Sequence, residues 1–318
     1  MYDVPLISVI IPSYNSPDIF QTLDSVLMQD YPRIQLIIVD DASACFSRAE
    51  TEDYLRQRGR GNLESLDILE NPENRGTVYT LNRALQHFRG EYIFVLACDD
   101  CFYDSSVLSD WVAEFIRTGA QVITACRAVY DEALTQCLEI LPTAGQRDKL
   151  RRMSPPELFE EIAGTNFIFG CCTARTAATI HKYGLYDSGY RLIEDHPMNL
   201  KLLRMGEPIV FFDRIVVKYR GGGTSSPSQY NESYRQDVDR IFSQEILPFT
   251  KQPFRTRLRH YLWKRDQRLL QQRQALWDRF RGNRLAEIAV LLLFYIRRPC
   301  QTLCAVFRRI KKIADQRR

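Results

Sequence analysis

The 318-residue sequence has no low-complexity tract and no internal repeat at a fixed period, which excludes repeat and fibrous architectures. It also lacks an apolar run long enough to span a bilayer. Its best stretch, Leu285–Ile296, is 12 residues long and carries Glu287, where about 20 apolar residues are needed. The N-terminus, MYDVPLISVIIPSYN, has no basic segment, only a short apolar run and no small-residue cleavage site, so no signal peptide is expected. Nine cysteines, an odd number without framework spacing, argue against a disulfide scaffold and for free thiols in a reducing, cytoplasmic setting. Cys98 and Cys101 form a CxxC, but no second pair comes after it at zinc spacing, so buried thiols are expected there. No Walker lysine comes after Gly221-Gly222-Gly223, and no GxGxxG opens a helix after the first apolar run.

Hydrophobic residues make up 45% of the chain, enough for a real core. The net charge of +4 hides an asymmetry: residues 251–318 hold 19 Lys/Arg against 4 Asp/Glu, leaving 24 against 35 in residues 1–250. An acidic body therefore carries a basic tail, which calls for an anionic surface.

Continuous runs rich in Val and Ile predict strands at Leu6–Pro12, Ile34–Asp40, Ser65–Glu70, Tyr92–Ala97 and Gln121–Ala125, as in a sheet covered on both faces. Helical patterns lie between them near 18–29, 47–58, 77–88 and 105–118, with Asp18 as a candidate N-cap and Tyr31-Pro32 as a stop. Trp111 and Phe115 at helical spacing read as core. This alternation predicts an α/β fold with right-handed crossovers. Further on, strands are expected at Asn166–Cys172 and Ile209–Val217, a helix at Pro197–Met205, a loop over Gly221–Pro227, and helices through most of 232–318.

In an open α/β sheet, ligands bind beyond the carboxyl ends of the strands. The first four strands here lead into Pro12-Ser13-Tyr14-Asn15, Asp40-Asp41-Ala42-Ser43, Asn71 to Thr77, and Cys98-Asp99-Asp100-Cys101. Two acidic pairs thus converge on one rim, and stacked carboxylates repel unless a cation or a donor compensates them. Either pair alone would pass for a helix cap. Both together point to a hard divalent cation, Mg²⁺ or Mn²⁺, held by one or two carboxylates and substrate phosphates.

The segments Ser8-Val9-Ile10-Ile11-Pro12-Ser13-Tyr14-Asn15, Ile38-Val39-Asp40-Asp41-Ala42-Ser43, Asn74-Arg75-Gly76 with Asn82, and Leu96-Ala97-Cys98-Asp99-Asp100 occur in order and spacing over residues 5 to 225. In this the chain resembles the family 2 glycosyltransferases of the GT-A fold, of the capsule, O-antigen and cell-surface polysaccharide type. The resemblance implies a Rossmann-like, mostly parallel sheet with helices on both faces, in a catalytic domain at 1–230. Its nucleotide-sugar half would span about 1–125 and its acceptor half about 126–230, with a basic helical extension beyond them at 231–318. It implies an inverting transfer from a nucleotide-diphospho-sugar, usually UDP-linked, to a glycan or lipid-linked glycan. By the same resemblance, Pro12 and Tyr14 lie against the base, Asp41 accepts from its ring N–H with Asp40 beside it, and Asn15, Asn74, Gly76 and Asn82 complete the donor side. Asp99 faces ribose and phosphate, Asp100 ligates the metal with Asp99 beside it, and Arg220 faces the diphosphate. Asp195 is the base with Glu194 in reserve. His196, by its position alone, reads as a neighbour without a role of its own, with orienting the acceptor or touching a phosphate as the alternative. Ala97 departs from the family, where many members carry an Asp, and so does Leu81, where many carry an Arg.

Two other readings compete. A metal-dependent nucleotidyltransferase would want a glycine-rich loop with a basic residue after the first strand, and Pro12 to Pro17 offers none. A nucleic-acid-binding protein would rest on the tail, whose arginines alternate with Leu, Trp and Phe and form no recognisable module. The tail instead predicts peripheral attachment to an anionic membrane at its cytoplasmic face; packing of the tail on the body or pairing of two chains stays open.

Overall fold

The computed structural model describes residues 4–59, 61–221 and 231–280. Its strands are β1 (Ile7–Ser13), β2 (Ile34–Asp40), β3 (Leu63–Glu70), β4 (Tyr92–Val95), β5 (Cys101–Phe102), β6 (Val122–Tyr130), β7 (Cys137–Leu141), β8 (Thr173–Thr176) and β9 (Val210–Arg220). Its helices are α1 (Ile19–Leu27), α2 (Arg48–Arg58), α3 (Thr77–Ala84), α4 (Val107–Thr118), α5 (Ala144–Arg152), α6 (Pro155–Gly164), α7 (Ala177–Tyr183), α8 (Asp195–Arg204), α9 (Glu232–Arg240) and α10 (Pro253–Phe280).

The strands form one sheet in the order β3-β2-β1-β4-β8-β6-β9-β5, with β7 paired to β6. From β3 to β4 the pairing is parallel, and beyond β4 it turns mixed: β8 runs antiparallel to both neighbours, whereas β6 and β9 are parallel. β1 and β2 are buried almost throughout, as their Val/Ile runs predict, whereas the edge strand β3 buries only Ile68. Alternate residues of β1 feed two cores. Ile7, Val9 and Ile11 join Leu23, Leu108, Trp111 and Phe115 from α1 and α4, while Ile10 joins Val78, Leu81, Leu158 and Leu202 from α3, α6 and α8. Trp111 and Phe115 are 1% and 2% exposed and meet Phe94 and Tyr92 at 4.9 and 4.7 Å between ring centres. Each such side chain contributes about 1.5–3 kcal/mol of burial free energy.

Polar side chains of β1 and β2 bond each other inside the sheet. Ser8 Oγ donates to Gln35 Oε1 at 2.7 Å, and Gln35 Nε2 donates to Asp67 Oδ2 and to the His87 carbonyl.

The expected strand at Asn166–Cys172 is not formed. Asn166 Oδ1 takes the Ile168 N–H at 3.1 Å, Gly170–Cys172 make a 3-10 turn, and the strand begins only at Thr173. Two helices escape periodicity but carry capping boxes, Thr143 with Gln146 ahead of α5 and Ser154 with Glu157 ahead of α6. Asp18 stands at the N-cap of α1 without bonding it through its side chain; its carboxylate lies 3.4 Å from Arg220 instead. The loop predicted over Gly221–Pro227 lies outside the described residues apart from Gly221, as do Leu285–Ile296 and the basic end of the tail.

The chain divides into two compact units, one of residues 1–225 and 232–256, the other of 226–231 and 257–318. Among the described residues, no helix is long and apolar enough to cross a membrane.

Candidate active site

The loops leaving the carboxyl ends of β1, β2, β3 and β4 are stitched into one rim. Asn15, in the left-handed region at φ 48°, donates its N–H to Ser43 Oγ at 2.7 Å and accepts the Ala44 N–H on Oδ1 at 2.9 Å. Ser16 Oγ donates to the Cys98 carbonyl at 2.9 Å. Asp41, buried, accepts from Asn71 Nδ2 and the Arg75 N–H on Oδ1 and from the Gly76 N–H on Oδ2, at 2.7 to 2.8 Å. It therefore clamps the β3–α3 loop, with one donor on Oδ2 and a lone pair there still open. Pro12 is half-buried at the end of β1, and Tyr14 stands 52% exposed beside it.

Three of the expected donor-side residues are engaged by the protein itself. Asp40 turns back on its own loop, taking the Ser43 N–H at 2.8 Å and the Ser43 hydroxyl at 2.5 Å, and is 2% exposed. Asn82 exchanges two bonds with the Tyr186 backbone, both at 2.9 Å, which spends its amide on packing α3. Arg220 is spread over the protein rather than left to meet a ligand. Its Nε donates to the Asp99 carbonyl at 2.9 Å, Nη1 to the Glu132 carbonyl, and Nη2 to Gln21 Oε1 at 2.6 Å. Asn74 and Gly76 meet Arg191: Arg191 Nη2 donates to Asn74 Oδ1 at 2.6 Å. Gly76 has φ 89°, and a Cβ there would lie 2.5 Å from the Arg191 carbonyl oxygen, so only glycine fits.

The structure divides the pair after β4. Asp99 is partly exposed; burial raises its pKa, while its own backbone N–H and Arg220 pull the other way. Asp100 is 1% exposed. Its Oδ1 accepts the Arg220 N–H at 2.9 Å, and its Oδ2 is buried with no hydrogen-bond partner. Burial, then the neighbouring Cys171 and Asp99, push its carboxyl well above the usual range. That is a carboxylate short of positive charge, held by Thr22 Oγ1 on its backbone carbonyl at 2.7 Å. Among the described residues no three His, Cys, Asp or Glu side chains cluster as a metal cage. The site therefore suits a cation that takes one or two carboxylate oxygens here and the rest from a ligand.

The second acidic pair sits at the start of α8. Asp195 accepts the Gly170 N–H on Oδ2 at 3.0 Å and the His196 N–H on Oδ1 at 2.6 Å. A Cβ at Gly170 would lie 2.7 Å from Glu194 Oε1, so this glycine makes room for the acids. Burial first, and then the Asp195 charge, push Glu194 up to about 8. His196 is an anchor: its Nε2 meets the Ile162 carbonyl at 2.9 Å, and burial depresses its pKa. Cys171 has Arg127 Nη1 at 3.9 Å; its charge helps raise Asp100, and the Asp195 charge acts on it in turn, which links the two acidic pairs through one residue. Sequence periodicity gives no sign of Cys171, Gly170 or Arg127 as parts of the site. Cys98 and Cys101 are buried free thiols, the latter pushed up to about 11 by burial.

Glu194 makes stability depend on pH. Its folded pKa of about 8 exceeds its ordinary value of 4.5, so its contribution is full below about 4.5 and is lost as pH rises through 8. Glu194→Gln stays neutral throughout. It is expected to match the wild type in thermal melts at pH 5 and to exceed its Tm by a few degrees at pH 9; a constant difference across that range would count against the shift.

The sequence model of "Glycosyl transferase family 2" matches residues 8–179. A putative teichuronic acid biosynthesis glycosyltransferase of Bacillus subtilis, TuaG, is 39% identical over 97 residues, 30% of this chain and 36% of that one. The chain spans 41%, 61% and 36% of the length of the first curated relatives it matches. Among solved structures, S. aureus TarS 1–349 in complex with UDP-GlcNAc aligns with a TM-score of 0.59 at 18% identity, over 91% of this chain and 80% of that one. A mannosyltransferase from Pyrobaculum calidifontis in complex with GDP-Man and Mn²⁺ gives 0.57 at 18%, over 97% and 81%. At that identity the likeness is one of fold.

Proposed function

The chain belongs to glycosyl transferase family 2, and from that membership we propose that it moves a sugar from a nucleotide-diphospho-sugar, UDP-linked, to a hydroxyl of a glycan or lipid-linked glycan, with inversion. The observation that carries the reading is a buried carboxyl, Asp100, with one oxygen left without a donor, together with a second acidic pair whose Asp195 is held by backbone N–H groups. Asp100, with Asp99 beside it, would hold Mn²⁺ or Mg²⁺, which when bound would supply Lewis-acid stabilisation of a departing nucleoside diphosphate. Pro12 and Tyr14 offer a surface to the base, and the open lone pair of Asp41 can take its ring N–H. Glu194 keeps its proton at neutral pH, which leaves Asp195 to accept the proton of the attacking hydroxyl. The nucleotide half is residues 1–125 and the acceptor half 126–230. The names of TuaG and of TarS with UDP-GlcNAc favour a cell-envelope polysaccharide as the product and UDP as the nucleotide.

A panel of UDP-GlcNAc, UDP-glucose, UDP-galactose and GDP-mannose, each with MnCl₂, tests this through thermal stabilisation and slow donor hydrolysis. At least one is expected to do both. A panel that neither stabilises the protein nor is hydrolysed, with or without metal, would refute the reading.

The basic region 251–318 is proposed to rest on an anionic membrane, at its cytoplasmic face, without crossing it. Supporting this, α10 exposes Phe254, Leu258, Tyr261 and Leu262 at helical spacing, with Arg257, Arg259, Arg265 and Arg268 exposed around them. Each basic residue near such a surface contributes about 1 kcal/mol. In flotation with liposomes, binding is expected to need anionic lipid, to weaken with salt and to vanish on truncation after residue 250. Equal flotation of full-length and truncated chains would sink the idea.

A further inference from the structure

Helix α9 lies beyond the stretch that the family model matches, and its sequence, Glu-Ser-Tyr-Arg-Gln-Asp-Val-Asp-Arg, has the look of a solvated face. Two of its acids behave so, with Glu232 and Asp239 pairing to Arg235 within the helix. Asp237 does not. It is 4% exposed, and its carboxylate takes three successive backbone N–H groups from the segment ahead of α8. The Arg191 N–H reaches Oδ1 and Oδ2 at 3.0 and 3.1 Å, and Oδ2 also takes the Leu192 N–H at 2.6 Å and the Ile193 N–H at 3.0 Å. Successive amides converging on one anion form a nest, and bonds to an ionised acceptor are the strong ones.

The strip so fixed, Arg191–Ile193, runs directly into Glu194 and Asp195. Its other edge is pinned to the donor-side loop: the Val78 N–H donates to the Arg191 carbonyl at 3.1 Å, and Gly76 leaves no space between that loop and Arg191. Tyr234 stands three residues before Asp237 and so on the same face of α9; burial first, and then the Asp195 charge, raise its phenol. One helix thus grips the strip that leads into the two acids.

We infer that α9 forms part of the acceptor side of the active site, with Asp237 a positioning residue that fixes Glu194 and Asp195 through the Arg191–Ile193 strip. This rests on Asp195 being the base. Asparagine at 237 keeps the size but offers the three amides one neutral oxygen in place of two charged ones. The strip then loosens, and a displacement of about 1 Å at a reacting group costs up to about a hundredfold in rate.

The test uses the full-length protein with Mn²⁺ and UDP-GlcNAc, or whichever nucleotide sugar of the panel it hydrolyses. In Asp237→Asn, kcat is expected to fall about 10- to 100-fold with the donor KM within about twofold of wild type. Asp237→Glu, which restores the charge, is expected to recover more of kcat than Asn does at equal Tm. Tyr234→Phe is expected to lower kcat about 10-fold with the donor KM unchanged, and it decides the matter if Asp237→Asn does not fold. Asp195→Asn is measured alongside. If it is as active as wild type, the base assignment fails. If it is inactive while Tyr234→Phe and a folded Asp237→Asn turn over normally, the assignment of α9 fails. A loss of kcat matched by an equal loss of donor affinity would also overturn it, since that is what general loosening of the fold produces.

Discussion

Asp195→Asn is expected to lower turnover at least about a hundredfold, the range for a lost general base, while nucleotide-sugar binding stays near normal. The two effects separate because the donor loops and the acid at the start of α8 belong to different stretches of chain. The donor side is built from the ends of β1 to β4, tied together by Asn15, Ser16 and Asp41. Asp195 is held from the other side, by the Gly170 and His196 N–H groups. Asparagine retains the size and an oxygen to accept one of those bonds, so the local structure should survive. In the wild type Glu194 is no rival base at neutral pH, because its pKa of about 8 leaves it protonated. In the variant, however, the Asp195 charge that helps raise Glu194 is gone, so Glu194 should ionise at a lower pH than before. Residual turnover of Asp195→Asn is therefore expected to rise with pH along a limb below 8, and Asp195→Asn/Glu194→Gln should lose that limb. Measuring kcat and donor Kd over pH 6–9 decides it. Collapse of donor binding in the single variant would move Asp195 to the nucleotide site and pass the proton to Glu194.

How much of this was written in the sequence depends on which groups make each contact. β1, β2 and β4 were legible because helices cover them on both faces, so their burial demands unbroken Val/Ile runs. The loops at the strand ends were legible because side chains there announce their chemistry. The same logic says less at Asp40 and Asn82. Their types suit a ligand, but the turn at Ser43 and the backbone at Tyr186 compete for the same polar atoms, and only coordinates show which partner is nearer. Asn166–Cys172 read as a strand on composition, yet the Gly170 N–H is committed to Asp195 instead of a ladder. Asp237 was illegible for a further reason: its partners are backbone amides, which carry no residue identity. Leu81, a departure from the family at the sequence level, is explained by the fold, since it is fully buried in the core beneath α3.

The second large effect is expected from Asp100→Ala: loss of metal-dependent nucleotide binding, and with it of transfer, in a protein that remains folded. Asp100 makes little use of its charge within the protein. One oxygen accepts the Arg220 N–H, and the other is buried without a donor. Losing the first bond costs about 1 kcal/mol. Relief from burying an uncompensated acid offsets that cost, so Tm without ligand should change little. With ligand the two proteins part. A nucleotide at about 100 times its Kd stabilises the wild type by about 2.7 kcal/mol, and UDP with MnCl₂ should raise its Tm accordingly, reversibly with EDTA. Asp100→Ala should show no rise that EDTA removes. Asp99→Ala serves as the comparison, because Asp99 is the more exposed member of the pair and its backbone carbonyl, not its carboxylate, holds Arg220. It is expected to weaken UDP binding while keeping a response to Mn²⁺. If instead Asp99→Ala abolishes that response and Asp100→Ala preserves it, ligation belongs to Asp99. Full activity of a folded Asp100→Ala protein in EDTA would end the metal reading altogether.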